Sequence, residues 1–277
     1  MTSGDFTATA REYYNSAVHE MYKECWGGEN HHLGLFDSTD DFFEAARIAN
    51  ENLAAKLDIK DSDVLLDIGS GFCGLPRFLV QNTPCKKVVA LNISEKENEY
   101  ARQKNKEEGL ADRIEVIDGD FNSMPFSNNE FDIMLSQDSM LHSPDKGMLL
   151  KECARVLKDG GRFVFSDILE KDTLSREEAQ KIYSRVKVPH LATFDTYEKQ
   201  LQEAGFTIKE IQDLGSKNLG KSYQAVHDNV LSKREHLINN RNIPAEVIDN
   251  ALNGLKFWVE KASEDKIGWG LFVGELR

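Results

Sequence analysis

Short apolar runs dominate the middle of the chain. Five of them, each of strand length and rich in Val, Ile and Phe, cover residues 64–68, 87–93, 113–117, 131–135 and 162–168. Stretches of ten or more residues with helical patterns separate most of them. Near-continuous apolar strands that alternate with helices are typical of a parallel sheet covered on both faces. The pattern therefore predicts an α/β fold.

Weaker patterns flank this central region. The remaining predicted elements are helices within 8–25, 40–57, 170–204 and about 221–262, and strands over 206–211 and 268–276. LKDGGRF (157–163) predicts a helix end and a glycine-containing loop before the fifth strand. Together these elements predict a Rossmann-like, seven-stranded, mostly parallel sheet flanked by helices.

The same pattern suggests a division of the chain. We predict an N-terminal helical cap over residues 1–60 and a Rossmann-like domain over 61–277. Inserted helices at about 170–204 are expected to complete the cap.

Composition excludes several classes of partner. The chain has 277 residues, 40% of them apolar, which suffices for one large core. Its net charge of −13 would repel DNA or RNA, so no nucleic-acid partner is expected. No run of 18 apolar residues occurs, so no membrane span is expected.

The cysteines and the first residues bear on the compartment. The four cysteines form no CxxC pair, so zinc and structural disulfides are not expected. Residues 1–17 have neither a basic start nor an apolar core, so no secretory leader is expected. We therefore expect a cytoplasmic protein.

A glycine-rich turn follows the first predicted strand. LLDIGSGFCG (65–74) carries Gly69, Gly71 and Gly74 in the spacing G-x-G-x-x-G. Glycines there permit a tight turn and let the backbone approach a ligand at a helix N-terminus. The spacing alone also fits a purely structural turn.

Two polar residues near this turn bear on its ligand. A dinucleotide site wants an acidic residue about 20 residues later for the ribose, but the second strand ends at Asn92. Asp67 stands two residues before the first glycine, where a carboxylate suits an ammonium group better than a pyrophosphate. S-adenosylmethionine carries an ammonium and a sulfonium but no phosphate, so the charges favour this ligand.

The order of the motifs is more specific than any one of them. DIGSG (67–71), NIS (92–94), GD (119–120), MPFSNNEFDIM (124–134) and LKDGGRFVFSD (157–167) resemble the ordered motif set of the Rossmann-like class I methyltransferases. The resemblance implies cofactor contacts from Asp67, Gly69, Ser70, Gly71, Asn92, Asp120, Phe121 and Gln137.

The resemblance also implies a role for each group of contacts. The glycines would lie under the methionine moiety, Asp120 and Phe121 at the adenine, and Gln137 beside the sulfonium. Most of the family has Asp or Glu where this chain has Asn92, which accepts through its amide oxygen but carries no charge. Asn92 as an ordinary turn residue and Asp120 as a solvated loop carboxylate remain alternatives.

Three further segments narrow the subfamily. YKECWGGENHHLGLF (22–36) concentrates glycines, histidines and aromatic residues, and SQDSMLHSPDK (136–146) follows the fourth strand at the ligand crevice of an open parallel sheet. With RVKVPHLATFDTYEKQLQEAGF (185–206), they resemble the sarcosine/dimethylglycine N-methyltransferases. This resemblance runs nearly end to end. It implies direct in-line methyl transfer to sarcosine and dimethylglycine, which yields the osmoprotectant glycine betaine.

Amine chemistry selects the candidate substrate residues. We expect His142 to take or relay the amine proton, aromatic faces to surround a quaternary nitrogen, and a cation or donor to hold the substrate carboxylate. The catalytic candidates are His142, Tyr22 and Trp26, and the substrate-binding candidates are Tyr14, Trp26, Asp138, Tyr183, Arg185 and His190.

Structural roles are open for these candidates. Tyr14 and Tyr22 also fit a core stripe on a helix, Arg185 a surface ion pair and His142 a structural histidine. His31 and His32 also fit an ordinary loop.

Other functions stay open as well. Phosphoethanolamine-type and tocopherol-type methyltransferases share parts of these patterns, and a non-catalytic regulatory protein would bind S-adenosylmethionine without turnover. Asn92 and Asp67 disfavour a nicotinamide-dependent dehydrogenase. The negative charge, and the lack of an asparagine–proline–proline–tyrosine type motif after the fourth strand, disfavour a methyltransferase for macromolecules. We expect no metal requirement, and a monomer or homodimer.

Overall fold

A seven-stranded sheet organises the part of the chain that the computed structural model describes, residues 8–9, 11–12, 14–16, 21, 23–26 and 28–277. The strands β1 to β7 are Val64–Ile68, Lys87–Asn92, Ile114–Asp118, Phe131–Gln137, Leu157–Glu170, Phe206–Asp213 and Ile267–Leu276. Their order is β3-β2-β1-β4-β5-β7-β6, and β7 runs antiparallel to both of its neighbours while the other pairs are parallel. The predicted Rossmann-like, mostly parallel sheet is confirmed.

Both faces of the sheet are covered, which explains the near-continuous apolar strands. Successive side chains of a strand point to opposite faces. Leu65 of β1 accordingly belongs to one buried cluster, while Leu66 and Ile68 belong to the cluster on the other face. Neither face of these central strands is left exposed to solvent.

Helices supply the covering layers. The helices α1 to α9 are Phe42–Ala54, Gly74–Asn82, Glu95–Glu107, Lys146–Val156, Arg176–Val186, Phe194–Glu203, Ser216–Ser232, Arg234–Arg241 and Ala245–Ser263, and a 3₁₀ turn spans Met140–His142. Side-chain oxygens of Asp41, Ser94 and Asp145 accept from backbone N–H groups in the first turns of α1, α3 and α4, which fixes where these helices begin. Among the described residues, no helix combines the length and apolar character that a membrane span requires.

Two predicted elements differ from the structure. The predicted loop at 157–163 belongs to β5, whose pairing with β4 jumps from Phe131–Leu157 to Ile133–Arg162. The intervening residues bulge, with Gly160 at a φ of +73°. The predicted long helical region at 221–262 is divided among α7, α8 and α9. Lys233 separates α7 from α8, and Asn242, with a left-handed φ of 55° two residues before Pro244, separates α8 from α9.

The predicted domain division remains a prediction. The helix predicted within 8–25 lies partly outside the described residues. Residues 170–204 contain α5 and α6, which pack on different partners: α5 contacts α9, whereas α6 contacts α4 and β6.

Hydrogen bonds from its backbone hold the segment 28–36 against the rest of the protein. Leu33 N donates to Asp138 Oδ2 at 2.8 Å, and Gly34 N donates to Ser222 Oγ of α7 at 2.9 Å. A Cβ at Gly34 would come within 2.7 Å of the Ala45 methyl group, so only glycine lets this segment lie so close to α1. The glycine-rich N-terminal motif is therefore positioned next to the loop that follows β4.

Candidate functional site

Two adjoining cavities lie at the carboxyl ends of the parallel strands. The first cavity is lined by, among others, Gly69, Gly71, Asn92, Asp120, Phe121 and Gln137. The second cavity is lined by, among others, Trp26, Leu141, Ile168, Arg185 and Tyr223. The four residues that line both are Tyr14, His31, Asp138 and His142. Such a junction allows two ligands to meet.

The loop after β1 forms the floor of the first cavity. Gly69 and Gly71 take φ angles of +75° and +51°, which favour glycine. A Cβ at Gly69 would overlap the Ser139 side chain. The N–H groups of Gly69 and Ser70 donate to Leu91 O at 2.8 and 3.2 Å, which holds the turn against the end of β2. The glycines therefore keep the backbone close to any bound ligand.

Asp67 supplies a buried acidic group beneath this loop. Only 3% of its surface is exposed. Burial raises the pKa of the Asp67 carboxyl from 3.8 to about 8. A buried carboxyl of this kind favours a cationic ligand, because a nearby positive charge stabilises its ionised form.

A second buried carboxyl, which the sequence analysis missed, lies at the end of β2. Glu97 Oε2 accepts from Asn92 Nδ2 at 2.9 Å, and Glu97 Oε1 has no hydrogen-bond partner among the described residues. The His31 Nδ1 atom lies 3.7 Å from Oε1. Burial raises the pKa of Glu97 to about 7. Glu97 thus places in this cavity the carboxylate that Asn92 lacks.

The far end of the first cavity combines an aromatic face with polar groups. Asp120 Oδ1 accepts from the backbone N and the side-chain Nδ2 of Asn122 at 2.8 and 2.7 Å, which fixes its orientation next to Phe121. A planar, polar heterocycle suits Asp120 and Phe121. Elsewhere in the same cavity, at the end of β4, the buried Gln137 Oε1 has no hydrogen-bond partner among the described residues, so it can accept from a ligand.

His142 lies at the junction of the two cavities. Its Nε2 is 2.8 Å from Tyr14 Oη, and its buried Nδ1 has no hydrogen-bond partner among the described residues. Burial, assisted by the nearby Lys146 ammonium, lowers the pKa of His142 to about 4. The imidazole is therefore neutral at pH 7, with one nitrogen available to a ligand.

A buried lysine holds the turn that carries His142. Lys146 Nζ donates to the carbonyls of Leu141, Ser143 and His190 at 3.1, 2.8 and 3.1 Å. Asp167 Oδ1 accepts from Leu141 N at 3.3 Å. The 3₁₀ turn is thus bound from both sides.

Asp138 is engaged by the protein itself. Its Oδ1 accepts from Trp269 Nε1 and Ser166 Oγ, both at 2.7 Å, and its Oδ2 accepts from Leu33 N. It lines both cavities and ties the segment 28–36 to β5 and β7. Its role in substrate binding stays a prediction.

Aromatic rings and one cation form a wall of the second cavity. Trp26 Nε1 donates to His32 O at 3.1 Å, and the Trp26 and Tyr223 rings meet edge to face with centroids 5.7 Å apart. The Arg185 guanidinium lies 5.2 Å from the Tyr223 ring centre and 5.1 Å from that of Trp258. This wall offers both a positive charge and apolar faces to a small ligand.

Two predicted substrate-binding residues, Tyr183 and His190, are not brought to this wall. The predicted catalytic residue Tyr22 lies outside the described residues. Tyr183 lines neither cavity; its hydroxyl donates to Glu170. His190 lines neither cavity, and its carbonyl accepts from Lys146. Side chains at positions i and i+2 of an α-helix point in directions about 200° apart. Tyr183 therefore faces away from the cavity when Arg185 of the same helix faces it.

Metal ligation has no candidate group here. Over the described ranges, no three His, Cys, Asp or Glu side chains are placed to hold a metal ion.

Comparison with known proteins gives consistent matches. A family model described as a methyltransferase domain matches residues 66–165. The sarcosine/dimethylglycine N-methyltransferase of Halorhodospira halochloris is 36% identical over 95% of this chain and 94% of its own length. The enzyme of that name from Aphanothece halophytica is 31% identical over 98% of each chain. The crystal structure of a candidate sarcosine dimethylglycine methyltransferase from Galdieria sulphuraria superposes with a TM-score of 0.85, at 28% identity, over 94% of this chain and 98% of that one.

Proposed function

Since the chain belongs to the sarcosine/dimethylglycine N-methyltransferase family, we propose that it methylates the nitrogen of sarcosine and of dimethylglycine with S-adenosylmethionine as the donor. One observation carries this proposal: a cavity with a cation and aromatic faces adjoins the glycine-loop cavity, and His142 stands between them. The product of the second substrate is glycine betaine.

The first cavity fits the donor. S-adenosylmethionine supplies an electrophilic methyl group on a sulfonium. Asp67 would hold its ammonium group, and Glu97 with Asn92 would hold the ribose hydroxyls. Asp120 and Phe121 would hold the adenine. The free oxygens of Glu97 and Gln137 support this assignment, because both are buried acceptors that a ligand can satisfy.

The protein must also deliver an unprotonated amine. An alkylamine resembles Lys, with a pKa of about 10.4, so reaching its free base at pH 7 costs roughly 4 kcal/mol. Burial in the second cavity reduces this cost, because desolvation disfavours the ammonium form. His142 Nδ1 would accept the departing proton while Nε2–H passes its proton to Tyr14 Oη, and the Tyr14 hydroxyl would release its own proton to solvent. The lowered pKa of its imidazole means that it passes the proton on and does not retain it.

The remaining contacts orient the acceptor. The Arg185 guanidinium would pair with the substrate carboxylate. The faces of Trp26 and Tyr223 would surround the methylated nitrogen, which donates fewer hydrogen bonds with every methyl group and none in the quaternary product. A substrate bound at both ends presents its nitrogen toward the first cavity.

We also propose that the enzyme works in the cytoplasm as a monomer or homodimer. The four cysteines are all buried and unpaired, which suits a reducing compartment. Light scattering of the purified protein would distinguish the two assemblies, and a trimer or tetramer would contradict this part of the proposal.

A methyl-transfer screen tests the proposed acceptors. The protein is incubated with S-adenosylmethionine labelled in its methyl group and with glycine, sarcosine, dimethylglycine or phosphoethanolamine. We expect label in the products of sarcosine and dimethylglycine, and little from glycine. Efficient methylation of glycine, or of phosphoethanolamine alone, would overturn the proposal. Binding of the donor without turnover of any acceptor would indicate a regulatory protein.

A further inference from the structure

A glycine in the interior of α9 stands against the side chain of Arg185. Gly254 is the tenth residue of a 19-residue helix, where glycine destabilises relative to alanine. A Cβ at this position would meet Arg185 Cδ at 2.8 Å, Arg185 Nε at 3.0 Å and Arg185 Cγ at 3.3 Å. All three of the nearest atoms belong to one side chain. The missing methyl group therefore makes room for Arg185.

The position of the Arg185 guanidinium is defined by two aromatic rings. Its guanidinium lies 5.2 Å from the ring centre of Tyr223 on α7 and 5.1 Å from that of Trp258 on α9, and the two ring centres are 4.8 Å from each other. Trp258 is fully buried and Tyr223 nearly so, hence neither ring can move far. Trp258 follows Gly254 by one helical turn, so both residues that contact Arg185 from α9 lie on the same face of that helix. Three helices thus determine where the guanidinium lies.

We propose that Gly254 is a positioning residue for acceptor recognition, which holds Arg185 at the wall of the second cavity where it pairs with the substrate carboxylate. This inference rests on the proposed function, because it presumes a carboxylate acceptor at Arg185. A methyl group at position 254 would displace the flexible end of Arg185 and leave the backbone of α9 and the first cavity unchanged. Gly254 itself touches neither substrate nor donor.

The predicted signature is a change in acceptor KM without loss of fold. For Gly254→Ala we expect the KM for sarcosine to rise about tenfold, equivalent to about 1.4 kcal/mol of binding. The affinity for S-adenosylhomocysteine and the kcat at saturating sarcosine should change less than twofold. The melting temperature should stay the same or rise, since alanine is the better helix former. Asn253→Ala, at the exposed neighbouring position, is the matched control and should leave KM unchanged.

Arg185→Ala separates this inference from the function on which it rests. We expect this variant to raise the sarcosine KM more than Gly254→Ala does. In the R185A background, adding Gly254→Ala should raise KM no further, because the displaced group is gone. N-methylethanolamine lacks a carboxylate, so we expect its KM to be higher than that of sarcosine with the wild type. In both single variants this difference in KM should disappear.

The outcomes are distinguishable. If Arg185→Ala leaves the sarcosine KM unchanged, the assignment of Arg185 to the carboxylate is wrong, and the proposed acceptor site with it. If Arg185→Ala raises KM but Gly254→Ala does not, only the inference about Gly254 is overturned. If Gly254→Ala lowers the melting temperature, the same substitution should not lower it in the R185A background, where the Arg185 side chain is gone. A melting temperature that falls equally in both backgrounds would contradict the contact with Arg185.

Discussion

Asp67 is expected to destabilise the ligand-free protein, and its replacement by asparagine should therefore separate stability from donor binding. Burial raises the pKa of this carboxyl from 3.8 to about 8. Each pK unit corresponds to about 1.4 kcal/mol, so keeping Asp67 buried costs the folded protein about 4 kcal/mol at pH 7, relative to an unfolded chain that ionises it freely. Asp67→Asn removes that cost.

The sign follows from the protons bound in each state. Because the folded pKa lies above the unfolded one, the folded protein binds more protons between about pH 4 and pH 8, and its stability falls with rising pH over that window. We expect Asp67→Asn and the wild type to be similar near pH 4. At pH 8 the variant should be more stable by a few kcal/mol. Urea unfolding of the ligand-free proteins across pH 4–9 measures this difference.

Donor binding should change in the opposite direction. Loss of one charged hydrogen bond is worth about 1.5–3 kcal/mol, so we expect Asp67→Asn to weaken S-adenosylmethionine binding on the order of 10- to 100-fold by calorimetry. Asp132→Asn on β4 is the control. Burial raises the pKa of Asp132, but hydrogen bonds from Lys158 and Val64 N outweigh burial and lower it overall. That variant should lose stability at pH 8. A less stable Asp67→Asn at pH 8, or unchanged donor affinity, would refute this reasoning.

Three other residues give further predictions. Glu97→Gln should weaken S-adenosylmethionine binding about tenfold by calorimetry, since a charged acceptor becomes neutral, whereas Glu95→Gln at an exposed position of the same helix should not. His142→Ala should lower sarcosine turnover by about 100-fold at pH 7 and less at pH 10, where the free amine predominates; an equal loss at every pH in the rate profile would leave His142 an orienting role only. Lys146→Met should lower both kcat and the melting temperature seen by calorimetry, because three carbonyls lose their donor; an unchanged kcat would show that the 3₁₀ turn needs no such support.

The sheet was predictable because burial on both faces leaves a simple trace in the sequence. Every predicted strand is present, since runs such as VLLDI cannot lie elsewhere than between two covering layers. The bulge in β5 was not predictable, because the glycines at 160 and 161 fit a free loop equally well. The difference depends on pairing with β4, which the local sequence does not specify.

The candidate site was predictable where residues follow strand ends, and less so where they lie on helices. Gly69, Asn92 and Gln137 line the first cavity because the topology brings the carboxyl ends of strands together. Ser94 and Glu97 form the S-x-x-E pattern of a capping box, which hides a second role. Ser94 Oγ accepts from Glu97 N, but the Glu97 carboxylate turns to Asn92. In the sequence, the lack of an acidic residue at position 92 was the only signal that Glu97 lies in the first cavity.

A crystal structure of the protein with S-adenosylhomocysteine and sarcosine would test the central claim most directly. We predict that the α-ammonium group of S-adenosylhomocysteine lies at Asp67 and its ribose at Glu97, and that the sarcosine carboxylate lies at Arg185. Crystals grown with both compounds that show no ligand along Gly69 and Gly71, or show it elsewhere, would contradict the claim that this loop holds the methyl donor.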